Sequence, residues 1–226
     1  MKRILIFIIF LFVSSVSAAQ ELSSVEKIKF QEKKGSCEVT GEYPQFKILK
    51  ISANKLKNVN KEINVFARSL FIKFLTKDAI GQQIKEDFKT SSNGNTFDID
   101  FNVIRADTRY VSVIFQTYFM QENAPHGVGH FYAFNYDVEH SKIIHLSDLF
   151  KPGTDYLKQL RGFCNRDLEK QLGNGFYDKD AVNDSTQFTF DQESLIIHFS
   201  AYEVACYAAG MPEVKISFKK LIGLKE

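Results

Sequence analysis

The sequence predicts an α+β fold, with antiparallel sheets, two main helices packed on them, and two tightly associated sub-regions. Three observations carry that reading. Short segments alternating apolar and polar residues outnumber every other pattern, and two stretches carry one apolar stripe at three- and four-residue spacing. The helical stretches follow or interrupt runs of strands instead of alternating with them. With no Trp, the 22 Phe and 9 Tyr must supply the bulk of the core.

The elements follow in order. Residues 1–19 read as a signal peptide: Lys2 and Arg3 are its charged start, Ile4 to Val13 its apolar run, and Val16-Ser17-Ala18-Ala19 the cleavage region. The apolar run is shorter than the roughly 20 residues that span a bilayer. No cysteine follows the cleavage region, and no later segment is apolar enough to span. The mature chain is therefore expected in the periplasm or secreted, without a membrane span. Val25 to Phe30 and Cys37 to Tyr43 read as strands around a turn at Lys34-Gly35, with Cys37, Val39 and Tyr43 on one face. Tyr43-Pro44-Gln45-Phe46 closes the second. Val59, Ile63, Phe66, Ala67, Leu70, Phe71 and Phe74 then mark a helix, expected to resume through Ile84 and Phe88 and to stop at Ser91 to Gly94.

Phe97 to Val103 and Tyr110 to Met120 are strong strands. In the first, Asp98 and Asp100 face water and read as a solvated strand face, not an acid–base pair. A loop over 123–129 leads to a strand over 131–138, a turn over 139–141 and a partner strand over 142–146. Asp155 to Leu172 is the second helix, with Leu157, Leu160, Cys164, Leu168 and Leu172 on one face and Gly173 as C-cap. Gln187 to Phe190, Leu195 to Phe199 and Glu213 to Phe218 complete the strands.

Charge and motifs exclude several classes. Of 29 basic residues Lys2 and Arg3 leave with the signal, so the mature chain has as many basic as acidic residues, 27 of each. That balance argues against nucleic acid or an anionic membrane as partner. Lys47, Lys50, Lys55, Lys57 and Lys61 form one local basic excess, read as a solvated face at the start of the helix. Ser52-x-x-Lys55 has the spacing of a serine–lysine nucleophile, but its companion elements are missing and it is set aside. His126 and His130, on an extended chain, stand about 13 Å apart, too far for one metal ion. His140 falls in a turn, and His145 and His198 in strands. No metal or cofactor is expected. Of Cys37, Cys164 and Cys206, two can pair in an oxidising compartment, and three pairings are open.

Five segments carry a resemblance. Asn123-Ala124-Pro125-His126-Gly127, Phe134-Asn135-Tyr136-Asp137 and Leu146-Ser147-Asp148-Leu149-Phe150 resemble the GGAHP, FNFD and L-x-DLF run of the RsiV/PdaC-like extracytoplasmic family, a domain of unknown function. Tyr202 to Gly210 is similar to its YEVAPYAxG signature, and Tyr43 to Phe46 to the YPxF of its usual N-terminal companion domain. The resemblance implies a companion domain over 20–105 and an RsiV/PdaC-like domain over 106–226. Members serve as extracytoplasmic parts of anti-sigma factors that bind lysozyme, stand beside peptidoglycan deacetylase domains, or occur alone. The domain itself is not known as a catalyst. An anti-sigma role is not expected here, because no cytoplasmic domain or transmembrane helix accompanies it.

The implied function is non-catalytic binding at the envelope, of a lysozyme-like or peptidoglycan-related partner, with His126, Asp137, Tyr202 and Tyr207 as binding candidates. A basic lysozyme would need an acidic face, which Asp178, Asp180 and Asp184 offer only locally. The alternative is a periplasmic hydrolase built on His126 with Asp137 or Asp148. Cys206 stands where the family signature has proline. A disulfide would hold that loop in place of a fixed φ, with Cys164 the preferred partner and Cys37 next.

Overall fold

The structure is a computed structural model and describes residues 24–34, 37–48, 50–76, 95–173 and 175–225. The stretches read as a signal peptide, as the turn at Gly35 and as a helical continuation through Ile84 and Phe88 lie outside those residues. The alternating segments build two sheets. The larger has the order β1 (Ser24–Lys34), β2 (Cys37–Ile48), β3 (Thr96–Ala106), β4 (Tyr110–Met120), β5 (Val128–Asp137) and β6 (Lys142–Ile143). The smaller has the order β7 (Gln187–Phe190), β8 (Ser194–His198) and β9 (Glu213–Ser217). Helix α1 (Ala53–Thr76) packs on the first sheet and α2 (Tyr156–Leu172) on the second.

One pairing differs from the expected antiparallel set. β2 and β3 run parallel, Glu38 opposite Thr96 through Gly41 opposite Ile99, and the connection between them contains α1. A parallel pair needs such a long crossover, and apolar alternation looks the same whichever way a strand runs. The β6 ladder is also shorter than expected, because Leu146 to Leu149 turns into a 3₁₀ helix.

Helix α1 explains two sequence features. Ser52 caps it, its hydroxyl accepting the Lys55 N–H at 3.4 Å and its carbonyl the Leu56 N–H at 3.0 Å. The serine–lysine spacing is thus a helix start. Within the Tyr-Pro-x-Phe segment, Phe46 is buried and both its backbone groups bond the Asn60 side chain at 2.8 Å, fixing the end of β2 to the helix. Val59, Ile63, Ala67 and Leu70 are the buried stripe.

There are two apolar cores, one between α1 and the larger sheet and one between α2 and the smaller. β3 and β4 are hairpin partners across residues 105–106, so the larger sheet continues through that point. The two halves join along the outer edge of β5. β6 covers only Tyr136 and Asp137. Along the rest of that edge, one backbone group of each alternate residue meets the C-terminal half: Gly129 C=O accepts from Ala201 N–H at 3.1 Å, and Phe131 N–H donates to Ser200 Oγ at 3.1 Å. Ala133 N–H donates to Gln187 Oε1 at 2.8 Å, and Asn135 C=O accepts from Ile144 N–H at 2.9 Å.

A buried clamp completes the seam. Ser112 Oγ donates to Asn135 Oδ1 at 2.6 Å and accepts from Phe190 N–H at 3.1 Å, while Asn135 Nδ2 donates to Phe188 C=O at 2.7 Å. Both side chains are buried, so β7, the edge of its own sheet, has its Phe190 N–H and Phe188 C=O met by β4 and β5. Replacing Asn135→Ala leaves Ser112 and the Phe188 carbonyl short of partners in the interior. We expect a loss of about 2–3 kcal/mol in urea unfolding, the cost of orphaned buried polar groups. A loss below about 0.5 kcal/mol, the scatter of ordinary surface changes, would contradict the clamp.

Candidate functional site

Two loops meet beside the start of β5. The first holds Asn123 to Gly127. Asn123 adopts φ 62°, and Gly127 has no room for a Cβ, which would fall 2.4 Å from the Tyr118 ring and 2.5 Å from the Phe119 carbonyl. The Gly127 N–H donates to the Tyr118 hydroxyl at 3.0 Å. The chain is thereby pressed onto β4, and His126 is carried to the surface.

The second loop is Tyr202 to Gly210. Its base is anchored by Ala201 and Ser200 on the β5 edge, as above, and by the Val204 carbonyl, which accepts the Asp178 N–H at 2.7 Å. Val204 points into the core between α2 and the smaller sheet. Glu203 turns inward, where its carboxylate accepts the Ser200 N–H at 2.8 Å. Tyr202 adopts φ 68°, uncommon for a bulky residue, and its ring stays 53% exposed. A 3₁₀ turn over Tyr207–Ala209 ends at Gly210 with φ 72°.

The result is an aromatic cluster. The His126 ring stacks on Tyr207 with centroids 3.8 Å apart and planes at 17°, and Tyr202 lies 5.6 Å from Tyr207 at 35°. Tyr202 and Tyr207 are exposed on a frame fixed by backbone hydrogen bonds.

The fourth candidate is elsewhere. Asp137 lies at the opposite end of β5, about 30 Å away at ~3.3 Å per strand residue, and caps the following turn. It accepts the His140 N–H at 2.9 Å and pairs with His140 Nδ1 at 2.8 Å. Burial raises its pKa, and the His140 hydrogen bonds outweigh this and hold it below the usual carboxylate value. Asp148 accepts the His145 N–H at 2.9 Å in the capping box of its 3₁₀ turn. Neither acid is brought to His126. Asp137 and Asp148 instead line a groove of about 640 Å³ with Arg105, Arg109, Lys142 and Lys225.

The remaining histidines have local roles. His130 lies in β5, and burial pushes its pKa down. His198 is buried, with Nε2 2.7 Å from Thr189 Oγ1 and Nδ1 2.8 Å from Glu213 Oε1. That is the order of a hydroxyl–imidazole–carboxylate relay, which strand periodicity gave no means of finding. Thr189 has no solvent exposure, so no substrate carbonyl can reach its hydroxyl. The trio satisfies a buried imidazole. Among the described residues no His/Cys/Asp/Glu group has the arrangement to hold a metal.

Cys164 and Cys206 are free in the structure, so the Cys164–Cys206 bridge is not formed; the Cys37 side chain lies outside the described residues. Cys164 sits wholly inside the core between α2 and the smaller sheet, where burial pushes its thiol up to about 12, and Cys206 is exposed on the loop. In the acidic segment, Asp184 accepts the Tyr156 hydroxyl and Asp178 accepts the Asp180 N–H at 2.9 Å.

The fold is shared with solved structures. A DUF3298 family member from Bacteroides fragilis superposes with TM-score 0.61 at 15% identity, covering 90% of this chain and 95% of that one. A DUF3298 family protein from Pseudomonas aeruginosa gives TM-score 0.62 at 16% identity, covering 91% and 95%. Residues 147–219 match the family described as "Protein of unknown function (DUF3298)". The peptidoglycan-N-acetylmuramic acid deacetylase PdaC of Bacillus subtilis is 25% identical over 187 residues, which is 79% of this chain and 36% of PdaC. The match over residues 147–219, the similarity to PdaC and the shared fold all point to the same PdaC-like DUF3298 family. No described helix is long and apolar enough to cross a membrane.

Two outcomes test this geometry. A thiol reagent should modify Cys206 in the native protein and Cys164 only after unfolding, read by peptide mapping; protection of both thiols would restore the disulfide. Burial raises the Glu203 carboxyl above its ordinary value of 4.5, against the hydrogen bonds from Ser200. A raised carboxyl favours the protonated form in the folded chain, so its contribution is fullest below pH 4.5 and is lost as pH rises through the folded value. The stability of the native chain relative to Glu203→Gln should therefore fall as pH rises above 4.5, measured by urea unfolding across pH. A flat difference would place Glu203 in water.

Proposed function

We propose that the protein is an exported, non-catalytic binding protein of the cell envelope, and that the His126–Tyr207–Tyr202 cluster is its contact surface. The observation that carries this reading is the convergence of three aromatic side chains, from two loops distant in sequence, on a stiff and exposed frame. Tyrosines held in place contribute apolar area and a polar tip while losing little freedom on contact. The likeness to PdaC, a protein named for its action on peptidoglycan, supports a cell-wall polymer as the partner. The catalytic reading has less behind it. His126 stacks on a ring and bonds its neighbouring carbonyl at 3.1 Å, with Asp137 and Asp148 at the far end of β5.

Co-sedimentation with purified peptidoglycan sacculi tests the proposal. The native chain should be retained. Tyr207→Ala and Tyr202→Ala should each weaken retention by about tenfold or more, the size of an aromatic anchor's loss. Undiminished retention by the double variant would remove this surface from consideration. Retention of lysozyme at low salt, with none on sacculi, would replace the polymer by a protein partner.

A further inference from the structure

We propose that the aromatic surface continues onto the open face of the larger sheet, and that the two together hold a glycan chain, whose pyranose rings have an apolar face and hydroxyl edges. This deepens the envelope-binding reading above and rests on it only for the source of the glycan, the sugar strand of the wall.

The register of the sheet sets the two surfaces side by side. Thr40 stands opposite Asp98, Asp98 opposite Tyr118, and Tyr118 opposite Gly129. Residues directly opposite one another point to the same face of a sheet, so these four form one row across β2, β3, β4 and β5. The row ends under the C-terminal half, where a Cβ on Gly129 would fall 2.5 Å from Met211 Sδ. Glycine there lets Met211, the residue after the Tyr202 to Gly210 loop, lie directly on the sheet. The Tyr118 ring presses on Gly127 and its hydroxyl accepts the Gly127 N–H, next in the chain to His126. Tyr118 stays 43% exposed, so it adds one more open ring at the margin of the cluster.

Beyond Tyr118 the face is polar. Asp100 stands opposite Gln116, two residues along from the Asp98–Tyr118 pair and therefore on the same side. Asp98, Asp100 and Gln116 are all exposed. Asp98 accepts the Thr40 hydroxyl and Asp100 the Phe101 N–H, and among the described residues neither carboxylate forms a salt bridge. A carboxylate has about four lone-pair sites, so both keep acceptor capacity for a ligand. Lys27 and Lys29 lie on this face as well, both paired with Glu42, at 2.7 and 3.3 Å.

That mixture discriminates among ligands. An anionic polymer meets Asp98 and Asp100 where it needs cations, and a strongly basic protein meets Lys27 and Lys29 on the same face. A purely apolar segment strips water from the two carboxylates and gives nothing back. A neutral sugar chain suits every part. The C–H face of a pyranose lies on an exposed tyrosine ring, while its hydroxyls donate to the carboxylates and exchange hydrogen bonds with the Gln116 amide.

Calorimetric titration of the full chain with a β-1,4-linked N-acetylglucosamine hexamer tests the site, with the acidic stem peptide and lysozyme as comparison probes. The hexamer should bind, with an affinity that does not fall as salt rises. Tyr118→Ala should weaken it by about fivefold or more, the size of one aromatic contact. Because Tyr118 also bonds Gly127, a second variant leaves that loop alone: Asp98→Ala with Gln116→Ala, both exposed, should weaken binding by a similar factor. No binding of the hexamer, or undiminished binding by both variants, would overturn the proposal. So would tighter binding of the stem peptide, or binding of lysozyme alone with a steep salt dependence, which would assign the face to a protein. Retention on sacculi without hexamer binding removes the glycan assignment and leaves the wall-directed reading standing. Hexamer binding that the variants weaken, with no retention on sacculi, removes the wall-directed reading and leaves the glycan assignment standing.

Discussion

The outer edge of β5 is the constraint on which the rest of the molecule hangs. A strand edge presents a row of unpaired N–H and C=O groups, and each one buried without a partner costs free energy comparable to a lost hydrogen bond. Here the row is met residue by residue at Gly129, Phe131, Ala133 and Asn135 by groups from three separate C-terminal segments. A third sheet strand would have met it with one ladder. Meeting it piecemeal fixes the positions of Ser200, Gln187 and Ile144 relative to one another, and with them the whole smaller sheet. The Ser112–Asn135 clamp does the same for β7 from the other direction.

That seam decides where function can sit. At the start of β5, Ala201 and Ser200 are tied down, so the residues that follow must rise from a fixed point. Tyr202 leaves it with positive φ, Glu203 folds back under it, and Tyr207 reaches the His126 ring. At the other end, Asp137 and the β6 turn line the groove that Arg105 and Asp148 also border. One strand thus holds two different surfaces, an aromatic cluster at one end and a groove lined by both signs of charge at the other.

The local layer of this arrangement was legible in the sequence. Alternation placed Phe97 to Val103 and Tyr110 to Met120 in strands, and helical spacing placed Leu160, Cys164 and Leu168 inside. The motif segments pointed to His126, Tyr202 and Tyr207, although nothing in their spacing says that two rings from residues 126 and 207 stack. Asp137 shows the opposite failure. A carboxylate in a recognisable motif looks like a ligand contact, yet its first duty is to cap the turn at His140. The parallel β2–β3 pair and the Thr189–His198–Glu213 trio were invisible for one reason: each is set by register between distant segments, and period-2 patterning carries no register. The charged lining of the groove is not legible in the sequence, because residues from four separate places make no local charge run.

Cys206 shows how a departure from a family signature can be reconciled without new chemistry. Proline at this position would fix φ near −65° and remove a donor. Cys206 adopts φ −64° unaided, as the residue leading into the 3₁₀ turn, and its carbonyl accepts the Ala209 N–H at 2.9 Å. The backbone is therefore already in the conformation that proline would impose. What holds it is the turn it begins, the positive φ of Gly210 and the anchoring of Val204 below, not a covalent bridge. Proline would limit the unfolded chain more than cysteine does, an effect of order 0.4–1 kcal/mol, but it would not alter the shape of the folded loop. The same shape delivered by two different residues is what a surface needs if its work is done by the rings at Tyr202 and Tyr207, and not by position 206 itself.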